Sequence, residues 1–269
     1  MSLSVSGKTV IVTGAAHGIG QAIARHFVDR GAQVMFADID EEKLAAELGD
    51  TAKTEGPVRY FSGDLCEKLA VKNLLSATVD AFDRIDILVN CARTFAPCDP
   101  LEPSVDVLDS MLSQNMKSAL RVSQMTAKRM IKQAEEEGRT EGEIGSIINV
   151  STLASNRTQP ELMAYSIACA AQDQAIRSLA VALAPKRIRV NGVSFASVMS
   201  RSLQDALKEN DDWREAICEG TPLGRIAPPS ELAETVQYLA SSGASFVTGQ
   251  IINVDGGRSL LDRVQVPAF

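Results

Sequence analysis

The chain has 269 residues, of which 45% are apolar, with 27 basic side chains against 34 acidic ones, a formal net charge of −7 and a mean hydropathy of zero. That balance suits one large α/β domain over residues 1–269, and it excludes nucleic acid as the main partner because no basic cluster interrupts the acidic surface. No run approaches the ~18 apolar residues of a membrane helix, Met1–Ser6 lacks the regions of a signal peptide, and five cysteines without a CxxC pair beside two histidines form no zinc constellation, so a cytoplasmic, metal-free protein with reduced thiols is expected.

Val10, Ile11 and Val12 form a short β-branched run suited to a buried parallel strand, and Thr13-Gly14-Ala15-Ala16-His17-Gly18-Ile19-Gly20 breaks it with three glycines. A helix follows, with Ile19, Ala22, Ile23, Phe27 and Val28 at helical spacing. Glycines let backbone approach a pyrophosphate, and the first-turn amides with the helix dipole supply the positive end it needs. Gln33–Ala37 then reads as a second strand ending on Asp38, about where an acid meets ribose hydroxyls. Asp38 would repel a 2′-phosphate and no arginine follows it, which favours NAD over NADP, a preference His17 would soften.

Further elements alternate in the same way. Glu41–Leu48 reads as a helix, Val58–Phe61 as a strand, Gly63-Asp64-Leu65 as a turn, Leu69–Phe82 as a helix and Ile85–Val89 as the fourth strand. Asp64 is open to two roles, one of them a helix N-cap for a segment starting near Glu67. Asp106–Glu137 holds one long helix or two, with Asn115 inside an apolar stripe. Gln133–Gly145 lacks apolar periodicity and reads as a solvated excursion. Ser146–Val150 is the fifth strand and delivers Ser151-Thr152 to its C-terminal edge, and Leu162–Ala184 is a helix carrying Tyr165 and Cys169. Arg189–Ser194 is the sixth strand, Pro229 opens another helix with Ser230 as candidate N-cap, and Gln250–Val254 is the seventh strand. An acidic insert within 197–222, with Trp213, is expected to act as a lid over the cleft. The tail Arg258–Phe269 is amphipathic with no internal partner expected.

From Lys8 to Gly257 the chain resembles the short-chain dehydrogenase/reductase family, through TGxxxGIG at Thr13–Gly20, Thr221-Pro222-Leu223-Gly224-Arg225, Thr248-Gly249-Gln250 and Val254-Asp255-Gly256-Gly257. The resemblance implies a doubly wound, seven-stranded parallel sheet of Rossmann type, NAD as cofactor, a small carbonyl or alcohol substrate, and a homodimer or homotetramer. It implies that Gly14, His17, Gly18, Ile19, Gly20, Asp38, Asp64, Leu65, Asn90, Ala92, Arg93, Tyr165 and Ser200 line the dinucleotide, with Asp64 against the adenine. Asn115 would hold a structural water or, as the alternative, bridge helix to sheet. Thr152 stands where the family has serine, and Tyr165 keeps its spacing of thirteen. Departures also stand out: Cys91 and Arg93 replace the second asparagine and the glycine of NNAG, Phe195-Ala196 replaces Pro-Gly, and Cys169 occupies the lysine position.

That last exchange matters most. A tyrosine titrates near pKa 10, and a cation that lowers this by about two units is worth roughly 3 kcal/mol, or about a hundredfold in phenolate at neutral pH. Cysteine cannot supply it. Reduction of a carbonyl uses the neutral phenol as acid whereas oxidation of an alcohol uses phenolate as base, so the expected bias is towards reduction at neutral pH. Arg93 either snorkels to solvent or returns the missing cation to the site. Cys169 as a nucleophile has no adjacent base. Two functions follow: an NAD(H)-dependent oxidoreductase with Tyr165 transferring the proton, Thr152 polarising the oxygen, and Asn115 and Cys169 completing the constellation; or an NAD(H)-binding pseudoenzyme acting as sensor or partner subunit.

Overall fold

The computed structural model describes residues 2–49, 56–101, 105–210 and 212–262. Seven strands, β1 (Thr9–Thr13), β2 (Gln33–Asp38), β3 (Val58–Ser62), β4 (Ile87–Asn90), β5 (Gly145–Thr152), β6 (Ile188–Phe195) and β7 (Ile251–Val254), pair in the order β3-β2-β1-β4-β5-β6-β7, every neighbour parallel. β1, β4, β5 and β6 are buried along their whole length, while the edge strands β3 and β7 are only half-buried.

Alternation along each strand feeds two cores. Val10 and Val12 of β1 and Ile148 of β5 pack with Ile23 and Phe27 of α1 (Gly18–Asp29), Leu44 of α2 (Glu41–Leu48) and Val236 of α9 (Pro229–Ala240). Ile11 and Ile147, one residue out of phase, pack on the other face with Leu74 of α3 (Lys68–Phe82), Met130 of α5 (Ser118–Glu136) and Ile176 of α6 (Met163–Leu183). α4 (Val105–Met111) runs into α5 through a π-helical stretch at Leu112–Lys117, so the segment expected as one helix or two is a single rod with a widened turn around Asn115.

Four expectations need correction. Gln133 and Ala134 are buried and α5 extends to Glu136, because the Gln133 side chain accepts from the Ile85 amide at 2.9 Å. The excursion is thus shorter than 133–145, and at its far end the solvent-facing Glu143 pairs with the buried Arg189 at 2.8 Å. A polar side chain satisfied by backbone carries no apolar period, which hid this turn of helix. Pro228, not Ser230, is the N-cap of α9, with Pro229 at the first helical position. Asp64 does not cap α3, whose N-cap is Glu67; its carboxylate accepts from the Cys66 amide at 2.8 Å and closes the preceding turn. The tail folds back from Arg258: Ser259 is buried, its carbonyl accepts from Arg157, and Leu260 and Leu261 face the cleft described below, while 263–269 lie outside the described residues.

Candidate active site

The sheet order reverses between β1 and β4, and a cleft of about 1710 Å³ opens at the C-terminal ends of the strands there. One end is backbone. Gly14 takes φ +69°, and a Cβ on it would meet the Ala92 backbone at 2.8 Å, since the Thr13 hydroxyl accepts from the amides of Cys91 and Ala92 at 3.0 Å each and draws that loop in. His17 is the N-cap of α1 but supplies no capping side chain, and the first turn carries no acid, so the amide end of this helix faces the cleft at Gly18, Ile19 and Gly20 without an anionic partner. Asp38, buried at the end of β2, accepts from the amides of Ala16 (2.9 Å), Ile39 (2.8 Å) and Asp40 (3.2 Å). The Ala16 amide holds the carboxylate against the glycine turn, the other two close the turn after β2, and the side chain still lines the cleft. A glycine cradle, an uncapped helix start and an acid one strand away fit a dinucleotide diphosphate and its ribose.

Of the residues expected at this end, Gly14, His17, Gly18, Ile19, Gly20, Asp38, Asp64, Leu65, Ala92, Arg93 and Ser200 all line the cleft. Asn90 does not. It is buried and its amide donates to Ser123 (2.9 Å), Asn149 (3.0 Å) and the Ala119 carbonyl (3.3 Å), tying β4 to β5 and α5. Ser200 doubles as N-cap of α7 (Arg201–Glu209), accepting from Leu203 at 3.1 Å. α7 contributes Arg201, Ser202, Leu203 and Ala206 to the cleft wall, whereas Trp213, on α8 (Trp213–Glu219), is half exposed and away from it.

The other end carries the side-chain chemistry. β5 ends on Thr152 and α6 presents Tyr165, both buried to all but the cleft. The phenol meets both the Thr152 hydroxyl and the Cys169 thiol, and Thr152 donates to the Cys169 sulfur at 3.7 Å. Cys169 lies behind this pair, buried and not on the cleft surface. Asn115 is also set back. Its side-chain oxygen accepts from the Thr94 amide at 2.9 Å and its nitrogen donates to the Met111 sulfur at 3.6 Å, so it ties the widened helical turn to the loop after β4. Asn115 thus bridges its helix to a loop, not to the sheet as the alternative reading expected.

Burial pushes the Tyr165 phenol above its ordinary value, and the Arg93 charge pulls against that rise. Burial likewise raises the Cys169 thiol, and takes Cys91 up to about 11. Both thiols are therefore neutral and shielded at physiological pH. Iodoacetamide on the native protein at pH 8 is expected to label Cys98 and Cys218 while Cys91 and Cys169 stay unmodified until denaturant is added, read by peptide mass spectrometry.

Arg93 does not snorkel to bulk water: it lines the cleft, its guanidinium carbon 4.3 Å from the centroid of the Phe195 ring. Phe95, stacked edge-on to Tyr165 at 6.3 Å, together with Arg157, Leu162, Arg258 and Leu260, completes the outer wall. Sequence reasoning missed these five. Phe95, Arg157 and Leu162 sit in loops and short 3-10 turns with no period, although the amphipathic pattern from Arg258 was a readable sign that the tail needed a surface to cover.

This architecture is that of a Rossmann-type nucleotide-binding oxidoreductase. The chain belongs to the short-chain dehydrogenase/reductase family: the family profile described as enoyl-(acyl carrier protein) reductase matches residues 14–259. The 3-oxoacyl-[acyl-carrier-protein] reductase of Thermotoga maritima is 31% identical over 255 residues, covering 95% of this chain and 99% of that protein. A gluconate 5-dehydrogenase from Burkholderia cenocepacia, solved with NADP and tartrate, superposes with a TM-score of 0.84 at 27% identity over 97% of this chain and 98% of the other. A 7α-hydroxysteroid dehydrogenase solved with NADH and 7-oxo glycochenodeoxycholic acid gives 0.84 at 28% identity over 95% and 96%. Family members act on alcohol and carbonyl groups with NAD or NADP. Among the described residues no helix is long and apolar enough to cross a membrane.

Proposed function

We propose that this chain is an NAD(H)-dependent oxidoreductase of a small or medium carbonyl/alcohol pair, working towards carbonyl reduction at neutral pH. The observation that carries this reading is the single cleft that joins the Asp38 end to the Thr152–Tyr165 pair. When bound, the dinucleotide supplies the hydride. Asp38 receives the ribose hydroxyls and opposes a 2′-phosphate, the α1 amides face the diphosphate, Thr152 donates to the carbonyl oxygen, and Tyr165 delivers the proton to it. Phe95, Leu162 and Leu260 line the outer wall of the reacting end. The reading includes α7 as the movable lid and a homodimer or homotetramer, supported by the exposed apolar side chains of Ile167, Val181 and Phe246.

A second reading, an NAD(H)-binding protein without turnover, is favoured by one feature: the neutral Cys169 at the position of the family's lysine. Titration with NADH and NADPH followed by a carbonyl panel separates the two, because binding with no turnover on any carbonyl would sustain the second. The cofactor preference has its own test. Asp38→Asn keeps the shape and one acceptor oxygen but removes the charge, and it is expected to weaken NADH about tenfold, since a hydrogen bond to a charged group is worth about 1.5 kcal/mol or more. NADPH should gain relative to NADH in the same variant; fluorescence titration of both cofactors reads the ratio, and an unchanged ratio contradicts the role given to Asp38.

A further inference from the structure

The reacting phenol has a cation beside it that comes from a loop rather than from its own helix. Phe195 closes β6 and is the register partner of Thr152 at the end of β5, so the two side chains leave the same edge of the sheet into one cleft. Arg93 leaves the neighbouring strand end, three residues beyond β4, and lays its guanidinium on the face of that ring at 4.3 Å. A guanidinium cannot shed its charge, and an aromatic face holds it in place without offering it an acceptor. Its Nη1 is buried and has no hydrogen-bond partner among the described residues. Buried donors are nearly always paired, so an orphan at the wall of a cleft marks a group whose partner arrives with the reaction.

The helix itself offers nothing in its place. Position 169, one turn beyond Tyr165 on the same face, carries a buried thiol that burial keeps neutral, and that thiol receives the Thr152 hydroxyl rather than a charge. Arg93 lines the same cleft as Tyr165, Thr152 and Phe195, and its charge opposes the rise that burial imposes on the phenol.

We propose that Arg93, held on the face of Phe195, is the charge-supplying residue of the reacting site: it stabilises the Tyr165 phenolate in place of an ammonium at position 169. The inference rests on the reading of this chain as a carbonyl/alcohol oxidoreductase. In the reduction, a hydride with its electron pair passes from the reduced nicotinamide to the carbonyl carbon, the carbon–oxygen π pair moves to oxygen, and the Tyr165 O–H bond breaks to give that oxygen its proton. Tyr165 is left as phenolate beside the guanidinium and regains a proton from solvent. Phe195 is a positioning residue, acting only through Arg93.

The test is a pH titration of tyrosinate absorbance in the full chain without cofactor, with Tyr165→Phe as the blank that subtracts Tyr60 and Tyr238. Arg93→Gln, close in size and uncharged, is expected to raise the midpoint of Tyr165 ionisation by about one pH unit or more. Arg93→Lys should fall between the two, and Phe195→Leu should move it in the same direction by less. In turnover, Arg93→Gln is expected to move the alkaline limb of the kcat profile for reduction upward by the same amount with KM nearly unchanged and to slow alcohol oxidation below that limb, and millimolar guanidinium should return part of the lost oxidation rate. An Arg93→Gln midpoint equal to that of the parent overturns the proposal whatever the kinetics. A shifted midpoint in a protein that turns over no carbonyl overturns the oxidoreductase reading and leaves the charge assignment standing, so the two failures are distinct.

Discussion

Tyr165→Phe is expected to lower kcat for carbonyl reduction by about 10²- to 10⁴-fold, the usual contribution of a positioned proton donor, with NADH affinity little changed. The ring is buried, and loss of the hydroxyl leaves its packing against Phe95 in place, so a folding defect does not confuse the measurement. The direction of catalysis follows from the same phenol. Burial raises its pKa above the ordinary value of 10, with Arg93 limiting the rise, so at pH 7 the group is almost wholly protonated. An acid that must be protonated is then fully available for reduction, whereas a base that must be ionised is scarce for oxidation. As pH increases towards the phenol pKa, the oxidation rate should climb about tenfold per unit while reduction holds and then falls. Rates measured in both directions from pH 6 to 10 check this; fast alcohol oxidation at pH 7 would sink it.

The sheet was readable because burial on both faces forces β-branched runs, and those runs alternate with helical periods in this chain. The glycine turn and Asp38 were readable because their roles depend on backbone approach and on one charge at a fixed distance along the chain. What stayed hidden depends on partners far apart in sequence. Gln133 looked solvated because its partner is the Ile85 backbone, and the tail from Arg258 looked partnerless because the Arg157 that meets Ser259 lies 102 residues upstream of it. Asn90 shared a motif with Ala92, yet its amide is taken by three acceptors on β5 and α5 and never reaches the cleft.

Arg93 shows where pattern ends and geometry begins. The sequence left it between solvent and the site, since a long side chain reaches either. Only the register of β5 with β6 puts Phe195 beside Thr152, and only that ring gives the guanidinium a reason to stay in the cleft. Departures that looked independent, an arginine after β4 and a phenylalanine closing β6, are one contact in the folded chain.

The second large effect is expected at Gly20. A Cβ there would lie 2.0 Å from the Gly14 carbonyl oxygen and 2.6 Å from its carbon, both backbone atoms that no rotamer can move aside. Gly14 cannot yield, because its own Cβ direction is closed by the Ala92 backbone at 2.8 Å, and the residues after it are pinned by the Ala15 amide on the Ala37 carbonyl (3.2 Å) and the Ala16 amide on Asp38 (2.9 Å). Gly20→Ala must therefore open the turn and draw Ala16 away from Asp38, at a cost of about 3 kcal/mol, the upper range for forcing a methyl into a packed site. That corresponds to a fall in Tm of roughly 6–12 °C. The amides that face the diphosphate shift with the turn, so NADH affinity is expected to drop about a hundredfold, or about 2.7 kcal/mol. Gly138→Asn is the control: its φ of +65° suits asparagine, nothing lies within 4 Å of the added carbon, and neither Tm nor affinity should change measurably. Calorimetry and fluorescence titration read both quantities, and a Gly20→Ala protein that melts and binds like its parent would show that the turn is not the cradle described here.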